Sequence, residues 1–182
     1  MSKPSSSLFR ETIGEKRKKV TETYSDSQKT RARIYNATQN HRHVVLWAQI
    51  TASKLEAVSK RQRDKFNTAS VVYDESTGKY FYGRNNGIEK SGAKKNPVLF
   101  GDDKHEGILP KESLNNYKVG NCAEVDAINN ALNAGAKLEN LHLSTIHTTT
   151  DSMGKTKQAC KNCTYSFKGK VKRNYTGWYA EE

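Results

Sequence analysis

The stretch Asn121–Leu132, "NCAEVDAINNAL", decides the fold when it is set beside a second piece, Ala159–Cys163, "ACKNC". In the first, Val125, Ile128 and Leu132 form an apolar face at helical spacing, Ala127 and Ala131 permit close packing, and Gly135 suits a C-terminal cap. This predicts a helix from Cys122 to about Ala134. The second piece opens another, shorter helix through "CKNCTYSF". The chain of 182 residues has three cysteines, and all three lie in these two pieces. Glu124 follows the first of them by two residues.

An odd and small number of cysteines argues against a disulfide scaffold. At a helix start, exposed N–H groups and the dipole favour thiolate over thiol. A CxxC pair there places two thiolates within reach of one ion, and Zn²⁺ takes thiolates at about 2.3 Å in a tetrahedron. Cys122, Cys160 and Cys163 are therefore the candidate ligands of one zinc ion per chain. Three protein ligands leave a position open to water, which distinguishes a catalytic zinc from a closed structural one. Glu124 projects near the metal as a candidate proton shuttle, from the water to a ring nitrogen and a leaving amine. Ligand-x-Glu on one helix and CxxC on the next is the arrangement of the zinc-dependent nucleobase deaminases.

Other readings compete. Asn121 and Glu124 have the spacing of a capping box. Cys160 and Cys163 have the spacing of a redox pair, which would leave Cys122 and Glu124 unexplained. A structural zinc would need a fourth ligand, with His142 or His147 as the source. That last case gives the alternative function, a non-catalytic, zinc-stabilised nucleic-acid-binding protein.

Outward from the cysteine helices, "LENLHLSTIHT" alternates as a strand over about Leu141–His147. "ASVVYDESTGKYFYG" reads as a hairpin, with Gly78 free to take positive φ in the turn. Val44, Trp47, Ala48, Thr51, Leu55 and Val58 fall on one helix face. Lys60, Arg61, Arg63 and Lys65 continue the opposite face of that helix toward its C-terminus. Residues 84–120 show no sustained period and read as a long loop with short pieces, His105 among them. A last strand is expected near Tyr175–Tyr179. The order is helix, hairpin, loop, helix, strand, short helix, strand: an α/β fold with a mixed β-sheet flanked by helices. Residues 1–40 are rich in Ser, Thr, Lys and Arg and are expected to be a basic extension or linker, flexible or weakly helical, ahead of a domain at 41–182.

Formal net charge is +12, and hydrophobic residues make up 34%. The charge favours a polyanion, with nucleic acid or a nucleotide as the expected substrate. No apolar run approaches the roughly 18 residues of a membrane span, and the N-terminal stretch lacks a signal peptide's apolar core. Lys168, Lys170, Lys172 and Arg173 are candidate phosphate contacts.

"CAE" at Cys122–Glu124 with "CKNC" at Cys160–Cys163 resembles the signature of the cytidine deaminase-like superfamily. The all-cysteine version, followed by an Ala-rich helix, is most similar to the YwqJ-type deaminases of bacterial polymorphic toxins. The resemblance covers roughly residues 65–170. It implies the cytidine deaminase-like fold and hydrolytic conversion of a base, cytosine to uracil, in nucleic acid. It also implies a toxin effector delivered into the cytoplasm of a rival cell and neutralised by a cognate immunity protein. In such enzymes an asparagine after the hairpin meets the sugar and an aromatic stacks on the base. Asn85, Asn86, Ala123 and Tyr165 are the corresponding substrate-contact candidates, with Tyr80, Tyr82 and Phe167 as further aromatics. The superfamily usually has proline before CxxC, where this chain has Ala159, and the chain beyond Cys163 is short for a full set of C-terminal strands.

Overall fold

The computed structural model describes residues 23–55 and 58–180. Of the basic extension expected over residues 1–40, residues 1–22 lie outside them. The chain builds one four-stranded sheet between two helical layers. The strands are β1 (Thr68–Asp74), β2 (Lys79–Arg84), β3 (Leu141–His147) and β4 (Arg173–Asn174), in the order β2-β1-β3-β4. β1 is antiparallel to both neighbours, and β4 runs parallel to β3, so the sheet is mixed. The hairpin turn has the expected chemistry: Gly78 has φ +75°, and Asp74 accepts from the N–H and hydroxyl of Ser76.

Helix α1 (Asp26–Ser53) covers one face of the sheet. Ser25 starts it with a capping box to Gln28, which satisfies two otherwise orphaned N–H groups. The compositional change near residue 40 falls inside this helix. Asn40, Val44, Ala48 and Ala52 form its buried stripe, and the apolar three pack on Ala69, Val71 and Ile146. Asn40 belongs to the stripe because its Nδ2 donates to the His142 carbonyl at 2.9 Å. The helix ends at Ser53, short of the expected Leu55 and Val58. Lys60, Arg61 and Arg63 instead form a separate short helix, α2 (Lys60–Arg63), capped by Ser59, with Lys65 beyond it.

The expected long loop contains two short helices, α3 (Gly87–Ser91) and α4 (Pro97–Phe100). The other face of the sheet carries α5 (Ala123–Asn133) and α6 (Lys161–Phe167). Val125 and Ile128 of α5 and Cys163 and Phe167 of α6 share one core with Val72 and Leu143. Gly135, at φ +92°, follows the C-cap of α5. Among the described residues no helix is long and apolar enough to cross a membrane.

The last strand lies two residues earlier and is shorter than expected. Arg173 and Asn174 pair with His142 and Leu143. Asn174 then turns the chain: its Oδ1 accepts from Thr176 N and its Nδ2 donates to the Gly177 carbonyl, with Gly177 at φ +89°. Ala159 N–H donates to that same carbonyl at 2.9 Å, a bond that proline at 159 lacks the hydrogen to make.

β2 and α5 touch backbone to backbone at Gly83. A Cβ there would lie 2.2 Å from Ala127 N and 2.5 Å from Ala123 O. Gly83→Ala is therefore expected to push α5 off the sheet at a cost of about 3 kcal/mol, lowering Tm by roughly 6–12 °C in thermal unfolding. An unchanged Tm would show that the helix can move away freely.

Candidate active site

The two cysteine-bearing helix starts converge over the sheet. Cys122 is the N-cap of α5, Cys160 the N-cap of α6, and Cys163 lies in the first turn of α6. Their three sulfurs lie within 4.8 Å of one another, with Cys122 Sγ and Cys160 Sγ 3.4 Å apart. Tetrahedral thiolates at the zinc–sulfur distance would sit about 3.8 Å apart, so the donor set fits zinc with small adjustments. Among the described residues this is the group of His, Cys, Asp and Glu side chains able to hold a metal, and no histidine completes it. His142 is committed elsewhere, with Nδ1 2.7 Å from Tyr175 Oη and Nε2 2.9 Å from Glu75 Oε2. The local field favours a thiolate at Cys160. Hydrogen bonds from the Cys122 and Cys163 thiols and the N–H groups of Cys163 and Asn162 push its pKa well down, and the two donor thiols are pushed up.

Glu124 sits in the first turn of α5, almost wholly buried. Burial pushes its carboxyl up to about 7, opposed by hydrogen bonds from its own N–H and the Thr145 hydroxyl and by the positive charge of Lys157. Near neutral pH such a group can both accept and return a proton. The capping-box reading does not describe this helix: Cys122, not Asn121, is the N-cap, and no side chain caps it.

A cavity of about 240 Å³ opens above these groups. Cys122, Ala123, Glu124 and Cys160 line it together with Asn67, Thr68, Asn85, Asn86, Tyr117, Lys118, Asn121, Lys157 and Gln158. The two asparagines differ sharply. Asn85 Oδ1 accepts from the N–H groups of Asn67 and Thr68, and its Nδ2 donates to the Lys65 carbonyl at 2.7 Å. Asn86 sits in the left-handed region at φ 56°, tied through its backbone N–H to the Asn121 carbonyl, and its side chain makes no bond to the described residues.

Other predicted residues lie apart from the cavity. Tyr165 is 61% exposed and does not line it; the aromatic that does is Tyr117, 67% exposed. Phe167 is core. Tyr80 stacks on His43 and Tyr82 on Trp47, on the α1 side of the sheet. Lys168, Lys170 and Lys172 are exposed beyond the far end of α6, about 10 Å from its cysteine start, and Arg173 is on β4. The cations at the cavity are Lys118 and Lys157.

One positioning residue lies inside the CxxC motif. Asn162, buried, accepts from Leu114 N–H at 2.8 Å and donates to Ser113 Oγ at 3.0 Å and Asn115 Oδ1 at 3.2 Å. Asn115 Oδ1 in turn accepts from Tyr117 N–H. Helix α6, which carries the CxxC cysteines, thus fastens the loop that brings Tyr117 and Lys118 to the cavity. Asn162→Ala is expected to release that loop and raise KM about tenfold, while metal content stays at the wild-type level. Steady-state kinetics with metal analysis checks this, and an unchanged KM would contradict it.

A mixed sheet that carries a thiol triad and a buried carboxylate at two converging helix starts is consistent with a deaminase-like fold. Residues 51–169 match the model of the YwqJ-like deaminase family, and the chain belongs to that family. No curated protein and no solved structure matches the chain.

Proposed function

We propose that this protein is a zinc-dependent deaminase of cytosine in nucleic acid or a nucleotide, working as a toxin effector. One observation carries the reading: Glu124 lies buried beside three convergent sulfurs at a cavity. Cys122, Cys160 and Cys163 would hold the zinc, which when bound supplies Lewis-acid activation of water. Glu124 takes a proton from the attacking water and passes it to the ring nitrogen, then takes the second proton from the added hydroxyl and gives it to the departing amine. The exocyclic C–N bond is exchanged for C–O, water is consumed, and ammonia leaves. Asn86, with its free side chain, is better placed than Asn85 to hold a sugar hydroxyl, and Tyr117 offers a stacking face in place of Tyr165. The non-catalytic zinc reading needs a fourth ligand, which the described residues do not supply.

The family resemblance extends the reading to delivery into the cytoplasm of another cell and silencing by an immunity protein. Expression in a bacterium lacking uracil repair, followed by sequencing of DNA and RNA, tests the whole reading. Cytosine-to-thymine changes and growth arrest are expected with the wild type and absent with Glu124→Ala. Equal mutation spectra and growth for the two would count against it.

A further inference from the structure

Lys157 is a cation at the cavity whose charge acts on Glu124 but which forms no ion pair with it. Its backbone is fixed to the sheet: its N–H donates to the Thr145 carbonyl at 2.9 Å, and Thr156 beside it bridges to Ile146. From there the side chain reaches past β3 to β1, where the ammonium donates to Thr68 Oγ1 at 2.7 Å. An ammonium has three donors, and Thr68 uses one. Among the described residues no carboxylate forms an ion pair with Lys157. Lys118, the second cation lining the cavity, makes no side-chain bond to the described residues. Two ammonium groups with spare donors at one small cavity are suited to a compact, oxygen-rich anion.

We infer that Lys157, with Lys118, forms a phosphate subsite beside the reaction centre. The substrate is then a phosphorylated base, not a free base or nucleoside. The inference rests on the deaminase reading and names the residues that would hold its substrate's phosphate. The phosphate is either the monoester of a free nucleotide or a diester within a strand, two sources of one chemistry.

The test measures binding, so it does not depend on turnover. In the zinc-loaded Glu124→Gln variant of the 182-residue chain, affinities for nucleosides, their 5′-monophosphates and trinucleotides are measured by calorimetric titration. At least one phosphorylated form is expected to bind tenfold or more tightly than its nucleoside. Adding Lys157→Met should remove that advantage and leave the nucleoside's affinity and the Tm unchanged, whereas Lys157→Arg should keep it. If Lys157→Met lowers the Tm, Lys157→Gln, which retains a hydrogen-bonding side chain, takes its place. An advantage seen with monophosphates identifies the monoester, and one confined to trinucleotides identifies a strand. No advantage for any phosphorylated form, or one that survives loss of the Lys157 charge, overturns the inference. Failure of the deaminase reading itself shows separately, as absence of ammonia release by the zinc-loaded wild type.

Discussion

Glu124→Gln is expected to lower turnover by about 10³-fold while leaving fold and zinc content unchanged. Glutamine is nearly isosteric with glutamate, so the buried site beside Thr145 loses no volume. It can still accept the hydrogen bonds that Glu124 receives from its own N–H and the Thr145 hydroxyl. What it cannot do is take a proton and return it. A neutral amide is tolerated here because burial already disfavours the charged carboxylate: Glu124 is nearly inaccessible to solvent and its carboxyl is held up at about 7. The substitution therefore separates chemistry from structure. Rate measurements paired with metal analysis and thermal unfolding check it. A large fall in Tm would place Glu124 in the scaffold instead.

The second large effect follows from the metal. The sulfurs tie the start of α5 to the start of α6, and Cys163 is fully buried in the same core as Phe167 and Ile128. A ligand present at a thousand times its dissociation constant adds about 4 kcal/mol to stability. Removing zinc with a chelator should accordingly lower Tm by roughly 8–16 °C. The apolar core between sheet and helices remains, so the chain should still unfold cooperatively. Cys163→Ser should show a similar loss without chelator and bind far less than one zinc per chain. Identical melting with and without chelator would mean that the thiol triad does not hold a metal.

Much of this site was legible because its signals are local. The cysteines sit at the starts of α5 and α6, the glutamate is two residues from one of them, and the hairpin carries strand formers around Gly78. Each of these depends on spacing along one element. The extent of α1 was hidden for a specific reason: one position of its buried stripe is Asn40, whose burial is satisfied by a carbonyl on β3. A polar residue there breaks the apolar period, and no residue before it in the helix is buried, so the apolar face can be read only from Val44 onward. The cavity walls were less legible still. Asn85 and Asn86 are adjacent and chemically identical, and only contacts with residues 65–68 show that Asn85 is occupied. Lys157 gains its place through Thr68, 89 residues away, and Asn162 through Leu114, 48 residues away. Tyr117 and Lys118 come from a segment without any period. Sequence separation of this kind leaves no trace in local pattern.

The most direct measurement is ammonia release by the zinc-loaded wild type and by Glu124→Gln, each incubated with single-stranded and duplex DNA, RNA, and the free nucleotides. Ammonia from a cytosine-containing substrate, matched by an equal amount of uracil and absent with Glu124→Gln, is the predicted result. No ammonia from any of these with one zinc bound per chain, or equal release by the two proteins, would contradict the assignment of Glu124 and the thiol triad to a deaminase centre.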